Sequence, residues 1–174
     1  MQSEERNATW LRLMEQYQPA LRRLAHSYEV DPGRREDLFQ EIALGLWKAI
    51  PSFRGEASER TWLYRIAHNI AISASVSRRR RQGREVELPD SAEPPSTAEL
   101  PDRALLRREQ RERMLAAIRE LPAIDRQLIV LHLEGLSYRE IEQISGMTEG
   151  AIAARLSRIR DRLTARIRGE EPCK

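Results

Sequence analysis

Apolar residues recur at helical spacing through most of this chain, and no segment alternates long enough to predict a strand. Trp10, Met14, Tyr17, Leu21, Leu24 and Tyr28 step by four and three, which predicts a first helix. Pro19 falls inside that stripe and is expected to kink or break it, because proline lacks the N–H that an interior helix position donates. A second helix is predicted over residues 34–50, burying Leu38, Ile42, Leu46, Trp47 and Ile50, with Pro51 stopping it. A third is predicted over 58–80, with Trp62, Leu63, Ile66, Ala67 and Ile70 facing the core.

Residues 85–102, EVELPDSAEPPSTAELPD, interrupt this pattern with four prolines and almost nothing large and apolar. Such a stretch cannot bury itself and predicts an extended linker. Beyond it, 103–121 reads as a charged helix with Leu106, Met114, Leu115 and Ile118 inward. Pro122 suits the first turn of the next helix, which runs to Glu134 before Gly135.

The segment LSYREIEQISGMTEGAIAARLSRIRDRL, residues 136–163, then predicts two helices across a tight turn. Ser137 and Glu140 have capping-box spacing, Gly146 suits a left-handed helix end, and Thr148 suits the next N-cap. Ile152, Leu156, Ile159 and Leu163 form one buried stripe. A Gly-containing turn between two helices is the helix-turn-helix pattern, although a plain helical corner has the same form. Arg155, Arg158, Arg160 and Arg162, with only Asp161 between them, favour DNA binding. The expected fold is all-α: two small helical domains over 1–82 and 103–174, joined by an acidic Pro-rich linker over 83–102.

Composition sharpens this picture mainly through the placement of charge. Net charge is only +3 over 174 residues. Yet eight arginines stand against Glu56 and Glu59 between Arg54 and Arg84, while 85–102 carries six acidic residues and no basic one. Six more arginines stand against Asp161 between Arg155 and Arg168. Segregated charge predicts separate partner surfaces. The single Cys173 permits no internal disulfide, and the three histidines make no metal-ligand pattern. No apolar run approaches the ~20 residues of a membrane span, and residues 1–10 lack a signal-peptide core, so a cytoplasmic protein is expected. There is no phosphate-cradling glycine loop, GxSxG, HExxH or nucleophilic-cysteine context, so neither catalysis nor a cofactor is expected.

Two surfaces invite partners. Asp37, Gln40, Glu41, Leu44 and Lys48 share one face of the second helix, which either seats a partner helix or is a solvated face with one leucine. On the third helix, Thr61, Tyr64, Arg65, His68, Ile72 and Arg79 make a face away from the predicted core, with Asn69 beside it and arginines at 78–81. Arginine near aromatic and amide groups suits phosphate and unpaired bases. His68 alone reads as a surface or structural histidine rather than a functional one.

Together these features resemble an extracytoplasmic-function (ECF) sigma factor of bacterial RNA polymerase, of the sigma-70 family. EDLFQEIALGLWKAI at 36–50 looks like that family's polymerase-binding helix, FRGEASERTWLYRIAHNIAI at 53–72 like its promoter-melting segment, and 121–163 like its promoter-reading domain. The resemblance implies a transcription initiation factor with core RNA polymerase (β′ and β subunits) and promoter DNA as partners, and an anti-sigma factor as a possible inhibitor. Asp37, Gln40, Glu41 and Leu44 would meet the β′ clamp helices. Arg54, Arg60, Tyr64, Arg65, His68, Asn69 and Arg79 would capture the −10 strand. Ala151, Ala154, Arg155 and Arg158 would meet the −35 duplex, and the acidic linker would follow the RNA-exit path. The recognition helix departs from the family pattern in running Gly150-Ala-Ile-Ala-Ala-Arg155, where alanine replaces three polar side chains. An operator-binding regulator and an RNA-binding adaptor remain alternatives on residues alone. The 37–48 stripe and the Tyr64/Arg65 surface are features that an operator-binding regulator would not need.

Overall fold

The computed structural model describes residues 3–82 and 102–168, and every regular element among them is helical. The predicted linker falls outside the described residues except for Asp102, as does the side chain of Arg79. Three helices, α1 (Ser3–Tyr28), α2 (Pro32–Ala49) and α3 (Glu59–Gln82), form the N-terminal half. Four more form the C-terminal half: α4 (Asp102–Glu120), α5 (Ala123–Leu133), α6 (Tyr138–Ser145) and α7 (Glu149–Arg168).

Helix α1 runs unbroken through Pro19, against the expected break. Pro19 and Glu15, whose carbonyl loses its partner there, are both exposed, so water can satisfy that oxygen. Leu13, Leu21 and Leu24, each at most 1% exposed, anchor the turns on either side. Burial of such side chains, about 1.5–3 kcal/mol each, outweighs the roughly 3 kcal/mol cost of the proline.

Helix α2 begins two residues before the predicted start. Asp31 caps it by accepting from the Arg34 N–H at 2.8 Å, and Pro32 occupies the first turn. A 3-10 turn, Ile50–Ser52, follows it and takes in Pro51. Leu38, Phe39, Ile42, Leu46 and Ile50 are buried. Trp47 stays half-buried, edge-on to Trp10 at 5.7 Å, under the Arg6 guanidinium at 4.1 Å. Gly45 lets α2 approach α3 closely, since a Cβ there would stand 2.3 Å from the Ile70 Cδ1.

Helix α3 turns the predicted face inward, with Trp62, Ile66 and Ile70 packed against the core, and buries a second face as well. Thr61, Leu63, Tyr64, Ala67, His68 and Ala71 are buried, while Trp62, Ile66 and Ile70 are only half-buried. The outward placement of Thr61, Tyr64 and His68 is therefore corrected. The reason is that α3 packs against α1 and α2 on one side and against α5 and α6 on another. His68 is fully buried, with its Nδ1 3.1 Å from the Tyr28 hydroxyl. Burial lowers its pKa to about 3, so the ring is neutral.

In the C-terminal half only the last two turns of α4 enter the core, through Ala117 and Ile118, with Leu121 just beyond the helix end. Leu106 and Met114, predicted inward, are 57% and 37% exposed. Residues 105–114 are exposed throughout, so this half of the helix has no packed neighbour to bury them. Helix α5 is the central strut, buried from Asp125 to Leu131 around nearly its whole circumference. The buried Arg126 donates to the Leu121 carbonyl at 3.2 Å and to that of Arg119, closing the end of α4.

The helix-turn-helix forms as its caps dictate. Ser137 and Glu140 make the reciprocal capping box, Gly146 takes φ 73°, and the Thr148 hydroxyl accepts from the Ala151 N–H at 3.4 Å. Ile141, Ile152, Leu156, Ile159 and Leu163 close the core beneath it.

The buried His68 makes stability pH-dependent. Its folded pKa lies below the unfolded value of about 6.5, so its contribution is complete above that pH and lost as pH falls toward 3. The slope approaches about 1.4 kcal/mol per pH unit. His26, also lowered by burial, acts in the same direction. Glu36, Glu59 and Glu140, held below the carboxylate range by Arg22, Arg12 and Ser137, contribute only at lower pH. Denaturant unfolding between about pH 7.5 and 5 should therefore show His68→Gln less stable at the upper end but with a shallower decline. An unchanged slope would show that His68 does not titrate in the unfolded chain as described.

Candidate nucleic-acid and protein-docking surfaces

The α2 stripe is open. Asp37, Gln40, Glu41 and Lys48 are exposed, and Leu44 stands 52% exposed among them. All five project from the side of α2 away from Leu38, Ile42 and Leu46. A helix of a partner laid along this face would find one apolar knob inside a mostly acidic and amide rim.

The second surface is built where the 50–58 connection meets α3. Gly55 at φ 75° reverses the chain, and Ser58 accepts from the Thr61 N–H at 3.1 Å to start the helix. This folds Phe53 back onto Trp62, with ring centroids 4.9 Å apart. The result is a cavity of about 260 Å³ lined by Ser52, Phe53, Arg54, Glu56, Ala57, Trp62 and Arg65. An aromatic wall with two guanidinium groups matches the chemistry of an unpaired base and its phosphate. Sequence reasoning had given Trp62 to core packing. Its closeness to Phe53 depends on the turn at Gly55, which helical periodicity does not register. Asn69 is exposed beside Ser73, Ser77 and Glu41, along a groove of about 510 Å³ between α2 and α3.

The C-terminal half covers the rest of the α3 face. Glu134, at the end of α5, accepts from the Arg23 Nε and Nη2, both at 2.7 Å, and from the Tyr64 hydroxyl at 3.1 Å. Burial, reinforced by that carboxylate, pushes the Tyr64 pKa up, and its hydrogen bond to Glu134 holds the Arg23 guanidinium firmly charged. Arg60 donates to the Glu134 and Gly135 carbonyls, and Arg65 to the Gln143 carbonyl at 2.7 Å. From the other side Arg119 donates to the carbonyls of His26 and Glu29, at 3.1 and 3.4 Å. Arg60 and Arg65, which the sequence assigned to an anionic strand, thus meet the partially negative C-terminal ends of α5 and α6. Glu134, Arg23 and Arg119 carry no sequence signal of this role, because they lie about a hundred residues from their partners.

On the helix-turn-helix, Ala151, Ala154 and Arg158 are exposed, as expected of the face that meets a groove. Arg155 is different. Its Nε donates to Asp125 on α5, and its side chain is 34% exposed. Arg162 lies 3.6 Å from the other oxygen of Asp125. The sequence-predicted residues therefore fall into an open α2 stripe, a loop cavity bounded by Arg54 and Arg65, a covered α3 face, and a recognition helix with one arginine tied back.

Among the described residues no helix is long and apolar enough to cross a membrane, and no group of three His, Cys, Asp or Glu is placed to hold a metal ion. Two family descriptions match the chain: Sigma-70 region 2 over residues 13–84, and Sigma-70 region 4 over 111–163. The ECF RNA polymerase sigma-E factor of Escherichia coli (strain K12) is 32% identical over 162 residues, covering 89% of this chain and 84% of that protein. The RNA polymerase sigma-H factor of Pseudomonas aeruginosa is 31% identical over 156 residues, covering 86% and 81%. Among solved structures, the sigma factor RpoE of Bartonella quintana superposes with a TM-score of 0.71 at 26% identity, over 94% of this chain and 99% of that one. CnrH, at a TM-score of 0.66 and 21% identity over 95% and 91%, shares the fold. The region 2 match spans the α2 and α3 surfaces described above, and the region 4 match spans the helix-turn-helix. The chain belongs to the ECF sigma factors of the sigma-70 family, the transcription initiation factors that direct RNA polymerase to promoters.

Proposed function

We propose that the two halves of the chain divide promoter recognition between them, without catalysis, in the cytoplasm. The observation that carries this is the cavity between Phe53 and Trp62, bounded by Arg54 and Arg65. A flipped base exposes a stacking face that a duplex hides, and base–aromatic stacking contributes about 1–3 kcal/mol. The −10 strand enters here, with Asn69 continuing its path along α3. The helix-turn-helix docks on the −35 duplex through the face of Ala151, Ala154 and Arg158, while Asp37, Gln40, Glu41 and Leu44 seat the chain on the β′ clamp helices.

In the free chain, Glu134 and the ends of α5 and α6 occupy Arg60, Tyr64 and Arg65. Promoter engagement therefore requires the two halves to separate, and binding to core polymerase supplies the differential affinity that drives it. The Bartonella relative was solved with the anti-sigma factor NepR, and CnrH with the cytosolic domain of CnrY. An anti-sigma factor that holds the halves together is the corresponding inhibitor proposed for this chain.

Docking on polymerase is tested by Gln40→Ala with Glu41→Ala. Both positions are exposed, so unfolding free energy should change by about half a kcal/mol or less, while affinity for core polymerase falls at least several-fold in a titration. Unaltered affinity would remove the α2 assignment.

Strand capture is tested separately by Arg65→Ala with Asn69→Ala. Permanganate reactivity of −10 thymines should drop while closed-complex formation on the same promoter fragment stays near the parent level. Normal melting by the double variant would place the −10 strand elsewhere.

A further inference from the structure

We propose that Asp125 is a positioning residue for promoter recognition: it holds Arg155 against α5 and so leaves base reading at the −35 duplex to Arg158. The proposal rests on the assignment of α7 as the −35 reader and adds which side chain selects sequence. Asp125 sits in the first turn of α5, 6% exposed, where the helix N-terminus favours a negative charge. It accepts from the Arg155 Nε, and Arg162 stands 3.6 Å from its second oxygen. Both partners belong to the C-terminal half, so the contact persists when the halves separate.

Helix geometry distinguishes the two arginines. At 100° per residue, Arg155 lies roughly 70° from the centre of the buried stripe of Ile152, Leu156, Ile159 and Leu163, and Arg158 roughly 130° from it. Arg155 therefore flanks the core and reaches α5, while Arg158 projects away from it and is exposed. With its Nε committed, Arg155 loses the side-on pair of donors that a guanine edge can take and keeps only the end-on Nη1/Nη2 pair, on a side chain held back against α5, and Asp125 offsets its charge. Releasing it would leave a buried carboxylate without its closest partner, so the pair is expected to stay intact on DNA. Ala151 and Ala154 offer no hydrogen bonds on the exposed side. Arg158 is then the better-placed arginine within the first three turns of α7, because it projects outward and is exposed.

The test uses the full chain assembled with core polymerase and a duplex library randomised over the −35 region, selected at several salt concentrations. Arg158→Ala should flatten the preference at the selected position by about tenfold or more. Arg155→Gln should keep the parent ranking of sequences. Asp125→Asn frees Arg155 to neutralise a phosphate, so the salt dependence should steepen by about one and the ranking should broaden. Adding Arg155→Gln to Asp125→Asn should abolish that steepening, and Asp125→Glu should restore the parent pattern. An Arg155→Gln variant that loses its ranking as Arg158→Ala does would overturn the proposal, and this comparison does not depend on a folded Asp125→Asn. So would a folded Asp125→Asn with the parent salt slope and ranking. A parent chain that selects no −35 sequence on polymerase would instead overturn the promoter-reading assignment, and this inference with it.

Discussion

Every α-helix ends in carbonyls that its own N–H groups cannot reach, and this chain meets that constraint largely with arginines from elsewhere. Arg60 serves the end of α5, Arg65 the end of α6 and Arg119 the end of α1. Arg126 does the same for α4 within the C-terminal half. Three of these four contacts cross between the halves, and Glu134 completes the seam by taking Arg23 and Tyr64 on its carboxylate. The two halves are thus joined by charge-assisted hydrogen bonds as well as by one continuous apolar core.

Those polar contacts have a functional consequence. A charge-assisted bond contributes about 1.5–3 kcal/mol when sheltered, and exposed ion pairs contribute less than about 1 kcal/mol. Glu134 is sheltered, with a side chain 11% exposed, but its partner Arg23 is 49% exposed. These bonds are specific enough to set one arrangement, and in the proposed function a binding partner opens it. The groups it occupies are also those suited to nucleic acid, because a helix C-terminus and a carboxylate present the same sign of charge as a phosphate. If these residues bind the −10 strand as proposed, closing the chain and capturing that strand are competing uses of Arg60, Tyr64 and Arg65.

The parts legible in the sequence are those fixed by local chemistry. The capping box at Ser137 and Glu140, the left-handed Gly146 and the stripe from Ile152 to Leu163 were all readable, because each acts over a few residues. Asp31-Pro32 was an equally local start signal for α2 that apolar spacing alone overlooked. Pro19 was misjudged because its cost depends on whether the freed carbonyl faces water. The second buried face of α3 was misjudged for a different reason. Tyr64 and His68 follow a polar stripe, yet one meets Glu134 seventy residues away and the other Tyr28 forty residues back. The loop cavity was half legible: Arg54 and Arg65 were named, but the pairing of Phe53 with Trp62 depends on a turn. The ion pair between Arg155 and Asp125 was not legible, because nothing nearby in sequence reveals Asp125 beneath that arginine.

The competition between closure and strand binding is tested most directly by the distance between the halves. Spectroscopic labels at exposed Gln18 and Asp161, each changed to cysteine with Cys173→Ser, report that distance in solution. The free chain should give one short, narrow distribution, Glu134→Gln should broaden it toward longer distances, and core polymerase should shift the parent to a single longer distance. The same short distance in the free chain and in the polymerase complex would contradict the opening of the seam.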